Sequence, residues 1–466
     1  MSNNNTNRVH ENRRDGGWNW GQIGGIIAGG AAILGSLYMM TRSSSAQSSR
    51  DLPGDQRRDR NSQTNNINSM VGSERPNLSN LNALLGDILA RCVTLRKDDS
   101  KLYYNVFTNI FYRLHATMKT VDEYYNRYSS DIRFAGSHYD RLRINRLDEF
   151  DMDIVIGVPV NTGRGINEND IEIEQTYPGF VQLRAGRQYQ NISIRDGTDC
   201  VINRAAHSWL DAGNYISRAK FTSWFRHVVD RALNTFPRQD NSPALDVDGI
   251  LYNIRLSASG PACTLIIERP SFRLDVDLVP ALKFPETRWP IGRNYRSIPL
   301  GCSKGYWLVV PKPNKEGQCA YIEKRSWRIS LHEQERCLLH DSNNLRQAVR
   351  LLKNFRDTQK MKKIASYYIK TLFLLEANER DPRWGRENVA IIFEQMLRKF
   401  HSALINKNIP YFWNRQQNII RHIDNIVLDA YALKVNKFIQ DLQSDYRSAV
   451  KYLLTPPEQN YYLYLY

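Results

Sequence analysis

The sequence predicts an α+β protein: a mixed β-sheet lobe, then an α-helical lobe, preceded by a single membrane-anchor helix. Three observations carry this reading. Short β-rich runs bounded by turn residues cluster between residues 149 and 282. After about residue 325, apolar residues recur at helical spacing in one segment after another, the last a long helix from about Ile423 to Leu453. Near the start, residues 23–40 read IGGIIAGGAAILGSLYMM without a single charge. Hydrophobic residues make up 41% of the 466, enough to bury a sizeable core, so a wholly disordered or fibrous chain is excluded.

Residues 1–22 form a polar, Asn/Arg-rich N-terminal segment. The uncharged stretch 23–40 reaches ~27 Å as a helix, which just spans a bilayer core. Trp18, Trp20 and Tyr38 flank it as interfacial aromatics do, and Gly25 and Gly29 are spaced for close helix packing. Its five glycines weaken a helix, so a flexible or interfacial segment is the bland alternative. Residues 41–77, rich in Ser, Asn, Arg and Asp, read as a disordered tether. Helical spacing begins at Leu78, and a mixed α/β core is expected over 78–290, with the helical lobe over 291–466. In the core, DEFDMDIVIGVPV, ILYNIRLSAS, CTLIIER and FRLDVDLVPAL read as strands. Between the first and second lies a helix whose face Phe221, Trp224, Phe225, Val228, Val229, Ala232 and Phe236 is apolar.

Lys plus Arg outnumber Asp plus Glu by 64 to 48, a net charge of +16. Only nine arginines and six acids fall in residues 1–78, so most of the excess belongs to the folded part. Such an excess suits a polyanionic partner: nucleic acid, nucleotide or an anionic membrane surface. The six cysteines include no CxxC pair, which argues against a disulfide framework and a zinc ribbon and for a reducing, cytosolic face.

The most informative segment is GSHYDRLRINRLDEFDMDIVI, residues 136–156. On a strand, Glu149, Asp151 and Asp153 share one face. Asp275 and Asp277 do the same on a second strand. Neighbouring carboxylates repel unless a divalent cation lies between them, and hard oxygen ligands suit Mg²⁺ or Mn²⁺. Acids from two strands can build a two-metal site for phosphoryl transfer. The Gly136-Ser137 turn can hold phosphate oxygens with its backbone N–H and hydroxyl. Either acid pair alone is a weak signal, equally read as solvent-facing acids on an edge strand. Gly-Ser, Glu-x-Asp a dozen residues on, and a distant third Asp together are far more specific.

Over roughly residues 80–466 the chain resembles the cyclic GMP-AMP synthase-like receptors, insect-type metazoan nucleotidyltransferases. The landmarks are GSHYDRLRINRLDEFDMDIVI, VDLVPAL, WLVVPKP, SWRISLHEQE, LLKNFRD, SYYIKTLFLLE and IPYFWN. The resemblance implies a nucleotidyltransferase fold with Glu149, Asp151 and Asp277 as catalytic metal ligands. Asp153 and Asp275 remain alternatives by strand parity. It implies ATP-phosphate contacts at Gly136 and Ser137, and nucleotide contacts from Arg328, Ser330 and Glu335. His332 stands where the vertebrate enzyme has serine. Lys353 is implied as a phosphate contact, and Ser366, Tyr367 and Lys370 as the segment that holds triphosphate and stacks a base. On periodicity alone, Lys353 reads as a solvated helix lysine and Tyr367 as a core aromatic.

The same resemblance implies a cyclic dinucleotide product, a cGAMP isomer made from ATP and GTP with two Mg²⁺ or Mn²⁺ ions and read by a STING-type receptor in antiviral innate immunity. The vertebrate zinc thumb has no counterpart around HDSNNLRQAV, so no zinc is expected. The insect-type relatives also lack the thumb and sense double-stranded RNA, which makes RNA the expected activator. RNA is read through phosphate and ribose along a basic surface. Arg218, Lys220, Arg226 and Arg231, with Lys360, Lys362 and Lys363, are the candidate contacts; an ordinary solvated charged face is the plain alternative. The expected location is a membrane, with a single pass and the catalytic domain in the cytosol. The competing reading is a catalytically silent, membrane-anchored nucleotide-binding adaptor resembling mitochondrial dynamics proteins. The intact acid triad favours the enzyme.

Overall fold

The computed structural model describes residues 80–463, apart from residues 96, 145–146, 164–169, 195–198, 258–262, 291–293, 315–319 and 341. The expected N-terminal segment, anchor (23–40) and tether (41–77) lie outside the described residues. No helix among the described residues is long and apolar enough to cross a membrane.

Two helices open the fold, α1 (Leu81–Ile88) and the 25-residue α2 (Lys97–Val121). Asn80 caps α1 by accepting from the Ala83 N–H. A short α3 (Glu123–Tyr128) leads into β1 (Ser129–Ala135), the one-turn helix α4 (Gly136–Tyr139) and β2 (Glu149–Ile156). Strands β3 (Ile171–Tyr177) and β4 (Phe180–Ala185) form a hairpin. Helices α5 (Asp199–Ser208) and α6 (Arg218–Leu233) follow. Next come β5 (Arg238–Gln239), β6 (Ser242–Val247), β7 (Ile250–Leu256), β8 (Cys263–Arg269) and the 14-residue β9 (Phe272–Pro285).

One eleven-stranded sheet runs β3-β4-β11-β10-β9-β8-β7-β6-β5, where β10 is Tyr306–Val310 and β11 is Trp327–Ser330. Strand β2 branches from β9 in a parallel pairing, and β1 pairs with β2 antiparallel. The sheet is therefore mixed, as the sequence predicts. Alternation fixes the faces of β2. Phe150, Met152 and Ile154 are buried, and Phe150 stacks on Phe107 of α2 with ring centroids 4.3 Å apart. The acids occupy the opposite face. Helix α6 buries Phe221, Phe225, Val228, Val229 and Ala232 of its predicted apolar stripe completely, whereas Trp224 is half-buried and Phe236 lies beyond the helix end.

The helical lobe comprises α7 (His332–His340), α8 (Asn343–Thr358), α9 (Ser366–Glu379), α10 (Val389–Ile405) and α11 (Asn425–Ser444), and Pro456–Leu463 forms a last helix. Two boundaries differ from the sequence reading. The sheet continues past residue 290, because β10 pairs with β9 and β11 with β4, so the sheet lobe extends to about residue 330. The expected helix from about 423 to 453 breaks at Asp445, whose extended backbone and carboxylate cap the next turn at Arg447 and Ser448. Helix α1 joins the helical side: Asn82 accepts from the Ala390 N–H at 3.2 Å, and the Tyr462 hydroxyl donates to Asp87 at 2.6 Å.

Candidate active site

Parallel pairing of β2 with β9 sets Glu149 beside Asp275 and Asp151 beside Asp277. Glu149, Asp151 and Asp277 offer oxygens that all lie within 4.8 Å of one another. Among the described residues no other set of three or more His, Cys, Asp or Glu side chains gathers in this way. The alternatives are held elsewhere. Asp275 is bonded by Arg273 at 3.0 and 3.1 Å. Asp153 is buried, with His332 Nδ1 at 3.3 Å.

The acids carry an electrostatic cost. Burial, with Glu149 and Asp277 beside it, pushes the Asp151 carboxyl up to about 7. Asp277 is also raised, chiefly by burial, although the Thr264 hydroxyl donates to it at 2.5 Å and opposes the shift. Arg143 offsets part of the charge by donating to Glu149 at 2.8 Å and pairing with Asp148. Three half-buried carboxylates from two neighbouring strands suit a hard divalent cation, so the residues fit the Mg²⁺ or Mn²⁺ expected from the sequence.

The Gly-Ser turn lies against this cluster. Ala135, at the end of β1, pairs with Asp151, so the next residue is laid over that carboxylate. Gly136 has φ +75°, and a Cβ there would stand 1.8 Å from Asp151 Oδ2. Only glycine fits, by backbone and by space.

Arg328 projects from β11. Its guanidinium lies over the Tyr411 ring at 4.3 Å and the Phe180 ring at 5.1 Å, and it donates to Gln417 at 3.2 Å. The Ser330 hydroxyl lies 3.4 Å from His332 Nδ1. Ser366 accepts from Arg356 at 2.7 Å.

The other expected nucleotide contacts are turned inward. Glu335 is buried and accepts from Tyr367 at 2.8 Å and Trp413 at 2.9 Å, with Lys370 Nζ also at 2.9 Å. Lys370 also reaches Asp140 at 2.7 Å. Lys353 is buried, donates to the Leu142 carbonyl at 2.6 Å, and is lowered by burial to about 8. In this structure Glu335, Lys353, Tyr367 and Lys370 touch protein.

The basic face expected on α6 is also largely committed. Arg218 is buried and paired with Glu323, and Arg226 donates to the Ser257 carbonyl. Lys220 donates to the Leu210 carbonyl, and Arg231 lies 3.6 Å from Asp122. Lys360, Lys362 and Lys363 are exposed between α8 and α9. Sequence reasoning missed Asp140, Arg143 and Thr264. Arg143 lies inside the motif already singled out, whereas the Thr264 contact depends on β8 pairing with β9.

The model described as the Mab-21 protein nucleotidyltransferase domain matches residues 138–341, and the Mab-21 protein HhH/H2TH-like domain matches 344–437. The chain is therefore a nucleotidyltransferase with a helical second domain. It is 30% identical over 382 residues to a cyclic GMP-AMP synthase-like receptor of Aethina tumida, covering 81% of this chain and 92% of that one. The receptor of Tribolium castaneum is 29% identical over 385 residues, covering 82% and 93%. Receptor 1 of Drosophila melanogaster is 27% identical over 286 residues, covering 60% and 70%. The chain belongs to the cyclic GMP-AMP synthase-like receptor family.

Two outcomes follow from the site. Gly136→Ala displaces the turn or Asp151 by about an ångström, and turnover should fall about a hundredfold in a steady-state assay while the far-ultraviolet dichroism is unchanged. The second concerns pH. The Asp151 carboxyl titrates near 7 in the folded protein against an ordinary value of 3.8. Its contribution to stability is therefore complete below about pH 4 and lost as pH rises through 7. A bound cation favours the ionised form, so Mn²⁺ should raise the melting temperature more at pH 8 than at pH 6. Asp151→Asn should remove most of that difference in a thermal-shift measurement.

Proposed function

We propose that the protein joins ATP and GTP into a cyclic dinucleotide, a cGAMP isomer, by two-metal phosphoryl transfer. The observation that carries this reading is the acid trio gathered under the Gly136-Ser137 turn. Glu149, Asp151 and Asp277 would hold the cations. Bound there, Mg²⁺ or Mn²⁺ would neutralise the triphosphate and leaving pyrophosphate and acidify the attacking ribose hydroxyl. Asp277, bonded by Thr264 and raised by burial, would accept the hydroxyl proton. The turn offers backbone N–H groups and the Ser137 hydroxyl to phosphate oxygens. Arg328, stiffened between two rings, and Ser330 meet the second nucleotide. Glu335, Lys353, Tyr367 and Lys370 act by holding these groups in place. The reaction takes place twice, the second round closing the ring.

The setting proposed is antiviral innate immunity, with double-stranded RNA as activator and a STING-type receptor reading the product. The family membership and the +16 charge support it. Lys360, Lys362 and Lys363 are the exposed candidate contacts, with Lys220 and Arg231 the exposed basic residues of α6. The stretch 23–40 anchors the protein in a membrane, with the catalytic domain in the cytosol.

The full chain, given radiolabelled ATP and GTP with Mn²⁺, should yield a cyclic dinucleotide with double-stranded RNA, and none with Asp151→Ala. Nucleotide binding without product under RNA, DNA or no ligand would instead favour the silent membrane adaptor. The anchor is checked separately: the full chain should resist alkaline extraction from membranes, and removal of residues 1–40 should release it. Release of the full chain by alkali would sink the anchor.

A further inference from the structure

Residues 136–142 carry the turn that covers Asp151, and two buried lysines of the helical lobe hold this segment from below. Lys370 of α9 reaches Asp140 at 2.7 Å, and Lys353 of α8 donates to the Leu142 carbonyl at 2.6 Å. Inside the segment, the Asp140 N–H donates to the Gly136 carbonyl at 3.2 Å and the Leu142 N–H to the Ser137 carbonyl at 2.8 Å. Position is thus passed from the lysines to the turn through two short backbone links.

Asp140 is the centre of this arrangement. Its residue is only 7% exposed, yet it carries a carboxylate. One oxygen takes Lys370, and the other takes Arg336 at 3.0 Å. Arg336 also donates to the Phe134 carbonyl at 2.6 Å, fixing the end of β1 just before the turn. Behind Lys370, Glu335 balances the second half of its charge at 2.9 Å and is itself bonded by Tyr367 and Trp413. Burial alone would raise Asp140, but Lys370 and Arg336 outweigh it and hold the carboxyl below its usual range. A buried carboxylate with each oxygen already taken by a cation does not read substrate; it fixes geometry.

We propose that Asp140 is a positioning residue for the metal centre: clamped by Lys370 and Arg336, it presses the Gly136-Ser137 turn onto Asp151 and so holds that carboxylate in its ligating orientation. The inference rests on the reading of Glu149, Asp151 and Asp277 as metal ligands. Lys370 then serves the site from behind, through Asp140, without touching a nucleotide.

The test is Mn²⁺ binding to the full chain without nucleotide, with free Mn²⁺ read by electron paramagnetic resonance and melting temperature measured in parallel. The wild type should bind, and Asp151→Asn should weaken binding. Asp140→Asn should raise the Mn²⁺ dissociation constant at least about tenfold, as loss of a supporting partner does. Arg336→Gln removes one clamp from a less buried position and should weaken binding in the same direction by less. Asp211→Asn breaks the Arg325–Asp211 ion pair outside the site and should leave Mn²⁺ affinity at the wild-type value even where it lowers the melting temperature. Wild-type affinity in Asp140→Asn beside a lowered melting temperature would show a purely structural ion pair and overturn the proposal. A wild type that binds no Mn²⁺ would overturn the metal reading, and the proposal with it.

Discussion

Three carboxylates held within 4.8 Å of one another repel, and much of the sheet lobe is arranged to keep them there. The parallel pairing of β2 with β9 aligns Asp151 with Asp277, and a slip of one residue would turn one set to the other face. Register is secured by what lies opposite the acids. Phe150 and Met152 are fully buried on the far side of β2, and Phe150 is stacked on the long helix α2. Hydrophobic burial at about 25 cal/mol per Å² therefore resists a slip that electrostatics alone would favour. The acids are tolerated because their strands have nowhere else to go.

The helical lobe completes that constraint. A sheet can aim carboxylates, but it cannot cap the end of β1, where the chain must turn sharply above Asp151. That turn is held by side chains from α7, α8 and α9: Arg336, Lys353 and Lys370. These charges are costly to bury, and each is answered by an acid or a carbonyl. Two lobes that look separable in composition are joined through charge at the one place where catalytic geometry is decided.

The legible parts of the sequence were those whose signal is local. The period-two pattern of DEFDMDIVI gives both the strand and the shared face of its acids, and the apolar stripe of α6 reads directly as a helix face. Strands β10 and β11, of five and four residues, are too short for periodicity to place, so the lobe boundary fell too early. The basic residues of α6 misled for a different reason. The partner of Arg218 is Glu323, more than a hundred residues away, and no local pattern announces such a pair. The inward turn of Lys370 did have a signal. SYYIKTLFLLE is apolar on nearly every side, and a helix apolar all round is a buried one. A lysine inside it needs a buried anion.

The same reasoning separates residues that can meet a substrate from those that cannot. Arg328 rests on aromatic faces and the neutral Gln417, so its charge is held in place without a carboxylate bonded to it. Lys370 is instead neutralised twice over by Asp140 and Glu335. A cation already balanced by two buried acids gains little from a phosphate and would leave two carboxylates unpaired on reaching for it. A cation stacked on rings loses nothing by accepting a phosphate or a base edge. Both motifs carry the expected residue types; the balance of charge around each decides which one has a cation free of a bonded carboxylate.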